Sequence, residues 1–165
     1  MTSLALTIAP ENSGDAAAVE KLHAHAFGPG RFARTAYRLR EHVPPASGLC
    51  FVAHVGTFLV ASIRLSALRV GGAPALLLGP LTVDPAFKSK GIGLALLEKS
   101  LAEAREAGHR LVILVGDEPY YARVGFKRVP AGRLMMPGPV DPARLLYCEL
   151  VEGAFAGVSG AVAAG

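Results

Sequence analysis

The stretch LLLGPLTVDPAFKSKGIGLALLEKSLAEAREA, from Leu76 to Ala107, constrains this chain more than any other. The run from Ala75 to Val83 is uncharged and apolar apart from Thr82, which suits a strand buried on both faces at the centre of a sheet. Pro80 has no N–H to give to a ladder. A proline this deep in such a strand implies a bulge or a local parting from one neighbour, which frees backbone groups at Leu81, Thr82 and Val83. Asp84 and Pro85 mark a turn, after which Lys88, Ser89, Lys90, Gly91, Ile92 and Gly93 lead into a helix. Glycines let a backbone approach a ligand, and the unpaired N–H groups and positive dipole end of a helix N-terminus attract anions. This is the composition of a pyrophosphate cradle. It is equally that of a plain glycine-bearing helix start with surface lysines, since short motifs match by chance.

The residues after the loop favour the cradle. Leu94, Leu97, Leu101 and Ala104 recur at helical spacing, and Gly108 stops the helix. Leu111 to Val115 is a second wholly apolar run, as expected of a buried parallel strand. Strand, helix and strand make a βαβ unit with the glycine loop at the carboxyl end of the first strand, where open α/β sheets bind ligands.

Composition sets the outer bounds. With 165 residues, 52% of them hydrophobic, the chain fits one compact domain. A net charge of +4 carried on dispersed basic residues argues against nucleic acid and is explained by an anionic small ligand. The two cysteines, Cys50 and Cys148, sit in apolar surroundings and read as reduced, buried thiols. The N-terminus lacks the pattern of a signal peptide, and no apolar run approaches the roughly 20 residues that span a bilayer. The expectation is a cytoplasmic protein with no membrane partner.

Along the chain, Leu4 to Ile8 reads as a first strand. A helix comes next, with Ala16, Val19, Leu22, His23 and Ala26 as its apolar stripe. His23 and His25 lie two apart and face different ways, so no metal site is expected. A second helix is expected from Phe32 to about Glu41, ended by Pro44 and Pro45. Leu49 to Val55 and Thr57 to Leu68 form a hairpin at Gly56, and a turn at Gly71 and Gly72 enters the central strand. Beyond the βαβ unit, a short helix from Gly116 carries Tyr120 and Tyr121 to Gly125, and Phe126 begins another strand. Ala131 to Arg144 is irregular, with a short strand near Leu134 to Met136, and Leu145 to Val151 reads as the last strand. The domain is expected over 1–152. The Gly/Ala-rich tail 153–165 reads as a loose end or a patch that packs on a partner chain, leaving a homodimer open.

Two motifs in order resemble the GCN5-related N-acetyltransferases. LTVDPAFKSKGIG is similar to their acetyl-CoA signature, a V-x-P turn before an R/Q-x-x-G-x-G/A loop, with Lys88 at the usual Arg or Gln position. YYARVGF resembles their F-Y-x-x-x-G-F signature. The GPGRFARTAYRLRE and GDEPYYARVGF stretches resemble a bacterial subgroup of predicted acetyltransferases. The resemblance covers roughly Leu4 to Val151. It implies an α/β (α+β) fold: a mixed, mostly antiparallel central sheet with a βαβ acetyl-CoA-binding unit and flanking helices. It implies that Leu81, Thr82 and Val83 pair with the pantetheine arm, the Val83 N–H pointing at the thioester carbonyl, and that the amides of Lys88, Ser89, Lys90, Gly91, Ile92 and Gly93 hold the pyrophosphate. Tyr121 falls where the family places the tyrosine that protonates the departing thiolate; Tyr120 has a packing or coenzyme-lining place.

The implied activity is transfer of an acetyl group from acetyl-CoA, as cosubstrate and without a metal, to the amine of a small molecule or peptide. Two departures from the family stand out. The central strand has no carboxylate to serve as base, leaving His42, Asp117, Glu118 or water. Leu114 replaces an asparagine that contacts the coenzyme. An acyl-CoA binding or sensing protein on the same fold is the alternative, and a dinucleotide oxidoreductase a third, which leaves the tyrosine motif unexplained. The acceptor's pocket walls fall to Phe32 to Pro45 and Ala131 to Arg144.

Overall fold

A computed structural model describes residues 5–27, 39, 46 and 48–165. The expected second helix apart from Leu39, and with it His42, lies outside the described residues.

The chain opens with β1 (Leu6–Pro10), a short 3-10 turn and α1 (Ala16–Phe27). Asn12 caps this start: its side chain accepts from the Gly14 N–H, while Asp15 accepts from the Asn12 N–H. Val19, Leu22 and His23 are its buried face; Ala16, read as part of the stripe, is exposed.

The expected meander comes next as β2 (Phe51–Val55), β3 (Phe58–Val70) and β4 (Ala73–Val83), each antiparallel to the one before. Then come α2 (Ile92–Glu106), β5 (Leu111–Val115), the one-turn α3 (Glu118–Tyr121) and β6 (Lys127–Arg128). β7 (Leu134–Met135), β8 (Leu145–Glu149) and β9 (Gly160–Ala164) complete the described elements. The sheet runs β1-β2-β3-β4-β5-β8-β6, and β9 pairs with both β3 and β7. All its pairings are antiparallel except β4 with β5 and β7 with β9. The fold is the mixed, mostly antiparallel one the resemblance implied.

Two cores lie on opposite faces. Alternation along β3 sends Ala61, Ile63 and Leu65 to one face, where they join Leu96, Leu97 and Leu101 of α2. Leu68 and Val70 join the other core, with Leu77, Ile113, Phe155 and Val162. Cys50 and Cys148 are free and buried, and burial is the main cause raising each thiol's pKa.

Two further sequence expectations need correction. Leu94 does not share the helix's core stripe, whose buried residues are Ile92, Gly93, Leu96, Leu97, Ser100, Leu101 and Ala104; it stands half-exposed, lining a cleft between the helix start and β4. The C-terminal segment is not a loose end. β3 runs past the end of β2, and β9 takes the exposed edge at Leu68, Arg69 and Val70. The Arg133 guanidinium donates to the carbonyls of Phe155 and Val158 and lies 4.1 Å from the Phe155 ring, tying the segment down. Low complexity hid this because a strand that pairs through its backbone needs few large side chains.

Candidate functional site

The centre of the site is where β4 loses a neighbour. β4 pairs with β5 only at Leu76 and Leu77, then diverges, while its pairing with β3 resumes after a register shift and continues to Val83. The shift falls opposite Gly79 and Pro80, the irregularity expected from a proline at this depth. The Asp84 N–H donates to the Val60 carbonyl at 2.7 Å. Amides alternate along an extended strand, so the Thr82 N–H also turns toward β3 while those of Leu81 and Val83 face the gap that β5 leaves. An extended polar chain can pair with them as a further strand would.

Beyond β4, Asp84 caps a single 3-10 turn by accepting from the Ala86 N–H. The loop then carries two left-handed residues, Ser89 at φ 64 and Gly91 at φ 78. Such alternation turns neighbouring amides to one side, the geometry of an anion-binding nest. Gly91 is the N-cap of α2 and offers no side-chain capping bond, so the first amides of the helix keep their hydrogen-bonding capacity.

The two glycines serve different ends. A Cβ at Gly91 would meet nothing within 4 Å, so its glycine answers to backbone conformation. A Cβ at Gly93 would lie 2.5 Å from the Tyr120 hydroxyl, so that glycine makes room for the tyrosine.

One cleft of about 760 Å³ joins these parts. Leu81, Thr82, Val83, Lys88, Ser89, Gly91, Ile92, Gly93 and Tyr121 all line it. Of the coenzyme-binding residues expected from the sequence, Lys90 does not; of the candidate bases, Asp117 lines the cleft and Glu118 does not. Phe87, Leu94 and Arg123 line it without having been anticipated, because their places depend on how α2 and α3 meet.

Both tyrosines reach the cleft from α3, which starts where β5 ends. Their rings meet edge to face at 5.1 Å, and Tyr121 meets Phe126 in the same way at 5.9 Å. The absent side chain of Gly116 gives Tyr121 its space. Burial pushes the Tyr121 phenol up to about 12, with Tyr120 and Asp117 adding and Arg144 opposing. Burial also raises Tyr120, against Arg123. Tyr121 is therefore neutral at pH 7 and a hydrogen-bond donor.

Asp117 and Glu118, two of the candidate bases, are each held by an arginine. Arg144 bonds Asp117 at 2.6 Å and Arg128 bonds Glu118 at 3.1 Å. Among the described residues, no group of three or more His, Cys, Asp or Glu is placed to hold a metal. No helix of the described residues is long and apolar enough to cross a membrane.

The chain is similar over 150 residues, at 26% identity, to an uncharacterised N-acetyltransferase, YhbS, of Escherichia coli strain K12, covering 90% of this chain and 89% of that one. The crystal structure of the GNAT family N-acetyltransferase YhbS from Escherichia coli in complex with CoA superposes with a TM-score of 0.84 at 24% identity, covering 100% of this chain and 92% of that one. A GNAT family acetyltransferase from Brucella melitensis, solved in complex with acetyl-CoA, is 29% identical with a TM-score of 0.60, over 93% and 99% of the two chains. The family model of the acetyltransferase (GNAT) domain matches residues 46–128, from the entry to β2 through the tyrosine motif to β6. With its parted β4, glycine loop and tyrosine turn all inside that match, the chain belongs to the GNAT acetyltransferase family.

Proposed function

We propose that this protein transfers an acetyl group from acetyl-CoA to the amine of a small molecule or peptide by direct attack of the amine on the thioester. The observation that carries the reading is the pair of amides, Leu81 and Val83, facing the gap between β4 and β5 beside the left-handed loop at Ser89 and Gly91. The pantetheine arm pairs with those amides, and the pyrophosphate lies on the loop beside Lys88. The coenzyme complexes of the YhbS and Brucella proteins support this reading.

An N–H at the thioester carbonyl stabilises the negative charge that gathers there in the transition state. Tyr121 then faces the departing sulfur. A phenol near 12 is a weaker acid than a thiol near 8.5, so outright proton transfer to a free thiolate is uphill by roughly 5 kcal/mol. Tyr121 acts by donating a hydrogen bond while sulfur becomes anionic, and its proton crosses only as the new amide nitrogen supplies another.

The test is calorimetry with CoA and acetyl-CoA, followed by mass spectrometry of acetyl-CoA incubated with mixed amines. Saturable coenzyme binding and a product heavier by one acetyl group are expected. Binding without product above the hydrolysis background would instead indicate an acyl-CoA sensor.

A further inference from the structure

Burying a polar side chain costs free energy unless it finds a partner or a task. Among the described residues five are buried: His23, Ser62, Ser66, Thr82 and Ser100. Ser100 donates to the Leu97 carbonyl within its own helix and needs no other account. Three of the others line up.

Thr82 lines the cleft between the two gap-facing amides, and its Oγ1 is buried with no hydrogen-bond partner among the described residues. Its cross-strand partner on β3 is Ser62. The Ser62 Oγ lies 3.4 Å from Nε2 of His23 on α1, and the other ring nitrogen, Nδ1, is 3.9 Å from a Glu20 carboxylate oxygen. Glu20 has 52% of its side chain exposed. Thr82, its cross-strand neighbour Ser62, His23 and Glu20 thus succeed one another from the cleft to the surface, with no direct hydrogen bond between the Thr82 and Ser62 hydroxyls. Two residues along β3, Arg64 is held in a two-point bond by Glu11, at 2.9 and 2.8 Å, so its charge is matched locally.

We propose that Thr82, Ser62 and His23 are the proton outlet of the transfer, with His23 as the acceptor; this rests on the function proposed above. An amine arrives as an ammonium and must lose a proton before its lone pair can attack. The ammonium donates to Thr82 Oγ1, a water held between the two hydroxyls links Thr82 to Ser62, and Ser62 passes a proton to His23 Nε2. The imidazolium faces Glu20, through which the proton reaches solvent. The freed lone pair forms the C–N bond, the C–S bond breaks and its electron pair stays on sulfur. The second nitrogen proton ends on sulfur by way of Tyr121, so one proton is released per amide formed. An imidazole can take a proton at one ring nitrogen and release one from the other, which suits this task. The row supplies what β4 lacks in having no carboxylate.

The test uses the full chain and a panel of spermidine, glycinamide and a lysine-containing peptide with a free N-terminus, taking whichever wild type acetylates fastest. His23→Gln should lower kcat/KM for that amine about 100-fold. Thr82→Val, which keeps the shape and loses the hydroxyl, should lower it about tenfold, and Thr82→Ser should restore it. The CoA Kd of His23→Gln should stay within about twofold of wild type and the melting temperature of each variant within a few degrees. Joining Ser62→Ala to His23→Gln should cost nothing further, as for groups acting in series. Added imidazole should recover part of the activity of His23→Gly.

An undiminished kcat/KM in His23→Gln, or a loss that tracks melting temperature and resists imidazole, overturns the outlet while leaving the acyltransferase reading intact. A wild-type chain that binds CoA yet acetylates none of the panel overturns both. One with no CoA heat at all overturns the coenzyme site first.

Discussion

The two halves of β4 differ in one respect, and that respect makes the site. At Leu76 and Leu77 the strand has β3 on one side and β5 on the other, and from Ala75 to Leu78 its side chains fill both cores. From Leu81 to Val83 it keeps β3 and loses β5. The first half commits its hydrogen bonds to the fold; the second leaves the Leu81 and Val83 amides facing the gap, where we propose the coenzyme pairs. On the function proposed above, a strand becomes a binding surface by subtraction of a neighbour, without any charged residue of its own.

Substitutions in each half should separate stability from binding. The largest effect is expected at Leu77, 1% exposed in the fully paired half. Leu77→Ala should cost roughly 2–5 kcal/mol in chemical denaturation, with coenzyme affinity of the folded fraction unchanged. A shift in affinity of more than a few-fold would mean the halves are not independent. Next is Gly91→Glu, which puts a carboxylate and a side chain on a residue at φ 78 in the loop after the parted half. CoA binding should weaken by more than about 100-fold in calorimetry, roughly 3 kcal/mol, the strained backbone adding to charge repulsion. Retained binding would place the pyrophosphate elsewhere.

Tyr121→Phe should lower kcat by about 100-fold while leaving acetyl-CoA affinity within a few-fold. The same variant has a pH signature. The folded phenol titrates near 12 and the unfolded one near 10, so between those values the unfolded chain has lost a proton that the native chain still holds. Native stability therefore falls as pH rises through this window, by up to about 2 kcal/mol from this group. Tyr121→Phe should lack that share of the alkaline loss when denaturation midpoints are compared at pH 9 and 11.5. Parallel slopes for the two proteins would show that the phenol is not shielded. The smallest effect is at Ser89, whose φ of 64 is costly for a residue with a Cβ. Ser89→Gly should gain up to about 1 kcal/mol in thermal melts of the free protein and lose part of that gain in coenzyme affinity through added loop entropy.

Much of this was legible in one sequence because the signals are local. An apolar run, a proline inside it, glycines at a helix start and a tyrosine four residues before Gly125 each constrain their own backbone. What was missed depended on packing. Lys90 belongs to the motif yet does not line the cleft, while Phe87, Leu94 and Arg123 do, since a helix motif does not say which side chains meet the neighbouring turn. The role of Gly93 needed the position of the Tyr120 hydroxyl, 27 residues further on. His23 read as one more member of a helix stripe, and nothing in its neighbours in sequence pointed to Ser62, 39 positions away.

By itself, then, the sequence determined where the strands and helices fall around the βαβ unit and which backbone positions had to depart from regularity, because hydrogen-bond capacity and φ preference are properties of single residues. Tertiary structure decided that β9 closes the edge β3 leaves open, that Asp117 and Glu118 are engaged by arginines, and that Thr82, Ser62 and His23 share one face. Those outcomes depend on register and on the approach of segments far apart in the chain, which no local pattern encodes.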